Sequence, residues 1–598
     1  MDNKENKILA PLWTEGLPFP EKWIASSPRE VEKVLSGLSI EEQVACVMQV
    51  KGRAQQDLLL LSPQAVELTQ AIPPEDIYRM VKEIGESDAQ IILSMISADQ
   101  IQYIFDIEWW IGDRFQPERA LEWLKWLDDN QEPNIIKWLD TEEFEQKVML
   151  LQALIHVRKG EYITAPMDEL EDLPSFSPDG VHHIYLKVKE YDPVKNLIMH
   201  LRAHDAELFA ALMDAVIWYP ISQTMEHALR WRMTRTSERG IPEFEEALGI
   251  YSPLKVESLQ VKLIELEDID EERGHGAAPF FPLAEINHQT FLGQCLSQLH
   301  GQERLKAIRW ELVYLANKVM VADKEDPTII ENQSRIMQKV LGYLNVGLQL
   351  ATEGDIEKGV RLLQKTWMQF LFQACHGKLM ELKRTAERFV SDHGSHANYL
   401  FRDAEKDQMA SLVSRFPQVG NYMEGGEPLS WSDFSSMDEV IKMETFLRRW
   451  EFDVRFSKQC LNLSERKMQA YLQDCEHPGS MDVVDMLYWL TTALARFLLF
   501  AEVSSEPLPA SAASSFLDTV FMKNIDLNDG RVCDGSLIEA FHQALLKFPM
   551  AWTDEDKSFL SELLQECVLN LEAEFGRLDP KGQIQWKFTH GLCIQKTR

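Results

Sequence analysis

The sequence predicts an all-α, multi-domain fold with minor β content: an N-terminal solenoid of short helices, then longer helical bundles. Three observations predict it. Helix-start signals recur at roughly 10–14-residue spacing between positions 62 and 157, too close for each helix to be stable alone, so they must stack. Apolar residues at helical spacing follow each signal. The 598 residues exceed what one core can organise. With 45% hydrophobic and 26% charged residues, composition is that of a folded chain rather than a disordered one.

Residues 1–27 carry Pro11, Gly16, Pro18 and Pro20 with Trp13, Phe19 and Trp23. This predicts an extended arm whose aromatics pack onto the body. Ser27-Pro28 and Glu30 form one helix start, and Ser39 with Glu42 a second. The solenoid is expected over 28–160. Its stripes are Ala65, Val66, Leu68, Ile72; Ile77, Met80, Val81, Ile84; Ile91, Ile92, Met95, Ile96; and Ile101, Ile104, Phe105. Ser87 with Gln90, and Ser97 with Gln100, fit capping boxes. A small β element plus helices is expected over 161–256. There His182, Ile184, Leu186 and Val188 alternate onto one face, in what could be the only sheet. An acidic linker follows at 257–284 and a helical bundle at 285–395, whose third helix spans 356–389 with a break expected near Gly377. A loop-rich segment (396–435) and a C-terminal helical domain (436–598) complete the chain. Trp586, Phe588 and Cys593 are expected to pack back.

The net charge of −34 repels phosphate backbones and anionic lipid heads, so nucleic-acid and electrostatic membrane binding are not expected. The apolar stretch at 483–501 is interrupted by Asp485 and Arg496 and predicts a buried core helix, with no integral membrane segment. The 8 cysteines are scattered, which predicts reduced, buried thiols and a cytoplasmic setting without a signal peptide.

Catalytic and metal patterns fail on spacing. His200 and His204 are four apart, but Leu201 stands where a zinc protease needs Glu. His393 and His396 are read as a loop beside Asp392. In 524–530 the calcium-loop register puts Ile525 and Leu527 on ligand positions and Ser536 where a bidentate Glu is required. No glycine-rich phosphate loop or nucleophile elbow occurs. No catalytic residue, cofactor or metal is therefore assigned.

The recognition candidates are Arg230, Arg232 and Arg235 with Glu226, on a helix bearing Trp218 and Trp231. These arginines can hold a carboxylate or phosphate, or form pairs along a solvated helix face. Trp109 and Trp110, in a segment that also holds Trp123, Trp126 and Trp138, are candidates for an exposed anchor, with core filling as the alternative. Asn317 and Asn345 sit on apolar helices and must pair across an interface or line a pocket with Trp367 and Arg309.

The restart pattern over 62–106, an apolar helix, a Pro- or Ser-led restart and another apolar helix, resembles the helical repeats of the cytosolic N domain of MgtE magnesium transporters and of the flagellar motor protein FliG. The transporter's membrane part is missing, so transport is not implied. Through 226–254 and 315–321, the chain as a whole resembles a bacterial family of unknown function. That resemblance implies an all-helical multi-repeat protein and no activity.

The expected function is a cytoplasmic helical-repeat scaffold or regulatory adaptor, without catalysis, that holds a protein partner through the solenoid groove, its acidic rims selecting a basic one. The alternative is an enzyme or small-ligand sensor with a pocket in 190–350 lined by Arg and Asn. A divalent-ion sensor is a third reading, motivated by acidity alone. Oligomeric state is not legible.

Overall fold

The computed structural model describes residues 17–128, 134–141, 143–189, 191–261, 278–299, 301–422, 428–475, 484–522, 530–578 and 591–596, with single positions 584, 586 and 589. Helices dominate, and strands form only small sheets. The chain divides into two compact units, 1–376 and 377–598.

The first unit opens with a one-turn helix, Trp23–Ser26, inside the segment expected to be an extended arm, and continues with the expected short helices: Pro28–Leu35, Ile40–Val47, Arg53–Leu60, Ala65–Ala71, Pro74–Ile84, Gln90–Met95 and Ala98–Glu108. Ser39 and Ser97 close capping boxes with Glu42 and Gln100. Two expected boxes do not form. Ser27 makes no side-chain cap, although Pro28 holds the first helical position. Ser87 lies in a turn before the Gln90–Met95 helix, which Ala89 precedes. Leu58, Leu68, Ile77, Val81, Ile92, Ile101 and Phe105 are buried in one shared core, which supplies what each short helix lacks alone. Phe19 is buried and Trp23 packs on the same core. Trp13 and Pro11 lie outside the described residues.

The β element is a four-stranded antiparallel sheet in the order Tyr162–Ile163, Ile155–Lys159, His182–Leu186, Ser175–Phe176. His182, Ile184 and Leu186 face inward, as their alternation requires. It is not the only sheet: Trp110–Ile111 pairs with Arg114–Phe115, and Val419–Tyr422 with Pro428–Ser432. The latter pair, with the Asp403–Val413 helix, orders much of the stretch read as loop-rich.

The helix break expected near Gly377 falls instead between Ile356–Lys365 and Met368–Ala397. A buried ion pair explains it. Arg304 donates to the carbonyls of Leu363 (2.7 Å) and Thr366 (2.8 Å) and to Glu311 (2.5 Å). Glu311 in turn accepts the Met368 N–H at 2.7 Å. One pair thus satisfies the last carbonyls of one helix and the first amide of the next, groups every helix end leaves open.

In the second unit, Met486–Ala495 of the Met486–Phe500 helix are buried, so the apolar stretch is core. No helix among the described residues is long and apolar enough to cross a membrane. Cys593 and Trp586 are buried, and Cys593 donates its N–H to Thr492 Oγ1 at 2.9 Å. Phe588, the calcium-like loop up to Asp529 and linker residues 262–277 lie outside the described residues. All 8 cysteines are free and buried, and burial pushes the Cys46 and Cys295 thiols up to about 11.

Asp76 shows how tightly the last residues of the linker are held. Its carboxylate accepts the N–H groups of Phe280 (2.7 Å) and Phe281 (2.9 Å), and Arg309 donates to Pro279 O at 2.8 Å. Burial still outweighs these bonds and raises the Asp76 carboxyl to about 7. A raised folded-state pKa gives stability that is present below the unfolded value near 4 and lost as pH rises through 7. Asp76→Asn should therefore flatten the fall in stability between pH 4 and 8, as read from urea unfolding midpoints. A parallel slope in the two proteins would refute the assignment.

Candidate functional site

The arginine cluster lies on the Ile221–Glu238 helix, which packs on the Phe144–Leu154 helix. Its members have different fates. Arg235 clamps buried Asp106 through Nε and Nη2, both at 2.7 Å, and also bonds Glu143 and Gln146 (3.3 Å). Arg232 donates to the carbonyls of Asp106 (2.7 Å) and Gly112 (3.1 Å) and lies over the Trp110 ring. Beyond the helix end, Arg239 bridges Glu75 and Asp99, each at 3.0 Å. Arg230 stays exposed and, among the described residues, pairs with Glu226 one turn back, a contact worth little in water. The cluster is thus mainly a set of ties to the short-helix array.

The tryptophan anchor is also corrected. Trp109 is fully buried and Trp110 nearly so, with Trp123 and Trp138. Phe105 stacks on Trp109 at 3.7 Å and meets Trp138 edge-on at 5.2 Å. These rings fill the space between short helices. Asn317 and Asn345 pair structurally: Asn317 Nδ2 donates to Arg239 O at 3.4 Å, and Asn345 Oδ1 accepts the Leu292 N–H at 2.9 Å.

A cleft of about 420 Å³ does lie near the expected pocket, lined by Glu238, Gly240, Glu246, Tyr314, Lys318 and Trp367, among others. Arg230, Arg232, Arg235, Asn317 and Asn345 do not line it. Gly240 shapes its wall: φ is +75°, and a Cβ there would sit 1.5 Å from Tyr314 Cδ1. Gly240→Ala should destabilise the chain by about 2 kcal/mol or more, from left-handed strain and overpacking. Thermal unfolding checks this, and an unchanged midpoint would contradict it.

The histidines do not converge on one point. His200 faces Asp128 at 3.7 Å and His204 faces Asp140 at 2.8 Å, two separate carboxylates. His393 and His396 lie within the Met368–Ala397 helix, not in a loop, and His396 bonds Ser457 Oγ at 2.9 Å. Among the described residues no three His, Cys, Asp or Glu side chains gather as a metal site.

The strongest surface feature is where the sheet meets the Ala206–Trp218 helix. Tyr162, Lys159 and His182 are successive cross-strand neighbours in one row, so they face the same side of the sheet. Asp214 and Trp218 are one turn apart and share a helix face. The rows meet: Lys159 Nζ bonds Asp214 Oδ1 at 2.6 Å, His182 Nε2 lies 3.3 Å from the same oxygen, and Tyr162 meets Trp218 edge-on at 4.6 Å. Asp179 holds His182 Nδ1 at 2.6 Å. Burial works to raise the Asp179 carboxyl, but hydrogen bonds from His182 and Val181 prevail and hold it at about 2. Lys159, His182, Asp179 and Asp214 thus form a paired brace, and the Ser177 hydroxyl next to it is taken up by a hydrogen bond to His182 O at 2.8 Å.

Beyond the brace the surface turns apolar. Trp218 and Tyr162 are each 57% exposed and Ile221 is 59% exposed, with Tyr219 between them also open. Buried Gln152 ties the corner together: it donates to Tyr219 O at 2.8 Å and accepts from Thr224 Oγ1 at 2.5 Å. Exposed Glu161, Asp168, Glu169, Glu171 and Asp172 follow on the adjoining hairpin and turn. Sequence reasoning noted Trp218 but not this face. The available signal was the aperiodic apolar run Trp218-Tyr219-Pro220-Ile221, which a helix cannot bury while turning a corner.

Fold and site together define a mostly helical protein of two units with an exposed, hydrogen-bonded aromatic corner. The chain belongs to a family of unknown function, DUF6178, matched over residues 32–595. No curated protein and no solved structure matches it.

Proposed function

We propose that this protein is a helical scaffold that docks a basic protein partner on the face formed by Tyr162, Trp218, Tyr219 and Ile221. The observation that carries this reading is the solvent-exposed Tyr162–Trp218 ring pair on a corner locked by Gln152. Rigid aromatics lose little entropy on binding and dominate protein interfaces. The acidic residues at 161 and 168–172, in a chain of net charge −34, favour a cationic partner and repel acidic ones. The short-helix array serves as the support, in the manner of the helical repeats of the MgtE N domain and FliG, and the reduced, buried thiols suit a cytoplasmic setting. The test is co-purification from lysate of the native organism, comparing the intact chain with a Tyr162→Ser/Trp218→Ser/Ile221→Ser variant. A basic protein retained by the first and lost by the second supports the reading. Equal retention, or retention by neither, counts against it.

A further inference from the structure

The second unit contains a cleft of about 500 Å³ among parts of three helices, Met368–Ala397, Met437–Gln459 and Asp554–Phe575. Arg448, Arg455 and Lys458 line it from one helix, at spacings of seven and three residues that keep them on one face. His393 comes from the second helix, and Glu555 and Asp556 from the third. Phe452, Val454 and Phe559, all buried, contribute an apolar floor.

The charges do not cancel pair by pair. Arg448 Nε holds Glu555 at 2.8 Å, and Arg455 Nη2 holds Asp556. Arg455 Nε, itself buried, has no acceptor. Lys458 pairs with no carboxylate among the described residues; its polar contact is His393 Nδ1 at 3.4 Å. Burial together with the positive charge of Lys458 and the presence of His393 lowers neighbouring His396 to about 4. The remaining lining carboxylate, Glu451, is exposed and forms no ion pair among the described residues.

We propose that this cleft binds a small phosphate monoester, its phosphoryl group held by Lys458, Arg455 and Arg448 and its organic part lying on Phe452 and Phe559. A dianion with three free oxygens can bridge two arginines and a lysine at once, each contact a charge-assisted hydrogen bond. A monocarboxylate offers only what Glu555 and Asp556 already give. The volume suits a small organic ligand.

Calorimetric titration of the full chain at about 0.15 M salt tests this with phenyl phosphate, inorganic phosphate and benzoate. Saturable heat is expected with phenyl phosphate, weaker binding with inorganic phosphate and none with benzoate. Lys458→Met and Arg448→Met, both at exposed positions, should leave the melting temperature in place while weakening phenyl phosphate binding about tenfold or more. Arg455 is spared because Asp556 is buried against it. Absence of saturable heat at millimolar phenyl phosphate, equal binding of benzoate, or indifference to both substitutions would overturn the proposal.

Discussion

Arg235→Met is expected to destabilise the first unit by about 3–5 kcal/mol, the cost of leaving a buried charge without its partner. Asp106 is 3% exposed and receives two of the guanidinium's bonds, while Glu143 receives a third. Burial already raises the Asp106 carboxyl although Arg235 lowers it. Removing Arg235 raises it further. The folded state then prefers the protonated acid, so stability is lost as pH rises above the unfolded value near 4. The penalty should therefore be larger at pH 8 than at pH 5. Arg235→Met/Asp106→Leu should recover much of the loss, because two apolar side chains leave no uncompensated charge. Urea unfolding of wild type, the two singles and the double, at both pH values, closes the cycle. A single variant as stable as wild type would show that the clamp does not hold the Ile221–Glu238 helix to the array.

Trp218→Ser is expected to weaken partner binding by about 2 kcal/mol or more, roughly thirtyfold, as central interface aromatics do. Folding stability should move by only about 0.5 kcal/mol, since the side chain is mostly in solvent. Tyr162→Ser should act in the same direction and less than additively with Trp218→Ser, because the rings touch at 4.6 Å. Reversing rim charges by Glu169→Lys and Asp172→Lys should act chiefly on the association rate and on its salt dependence. Surface plasmon resonance with the captured partner separates these effects. A Trp218→Ser chain that binds as well as wild type would remove the aromatic corner from the interface.

The helical class was legible because it rests on local rules: capping boxes at Ser39 and Ser97, apolar stripes at helical spacing, and alternation in 182–186. What failed was non-local. The break at Thr366 depends on Arg304, some sixty residues earlier in the chain, and Gly377 looked the better breaker only because glycine is a poor helix former. Arg235 stood out as part of a cluster, but its partner Asp106 lies 129 positions away. Nothing local separates an arginine that binds a ligand from one that pins a helix. Tryptophan is ambiguous in the same way: Trp109 and Trp218 are both large amphipathic rings in helical segments, and only tertiary packing buries one and exposes the other. The site was thus legible as residue types and illegible as a surface.

Photo-crosslinking from single positions tests the central claim most directly. A photoreactive amino acid placed at 218, at 162 or at Leu569, an equally exposed apolar position in the second unit, is activated in cells of the native organism. Crosslinking of one basic protein from 218 and 162, and not from 569, is the predicted result. The same products from all three positions, or none from 218 and 162, would contradict the docking surface.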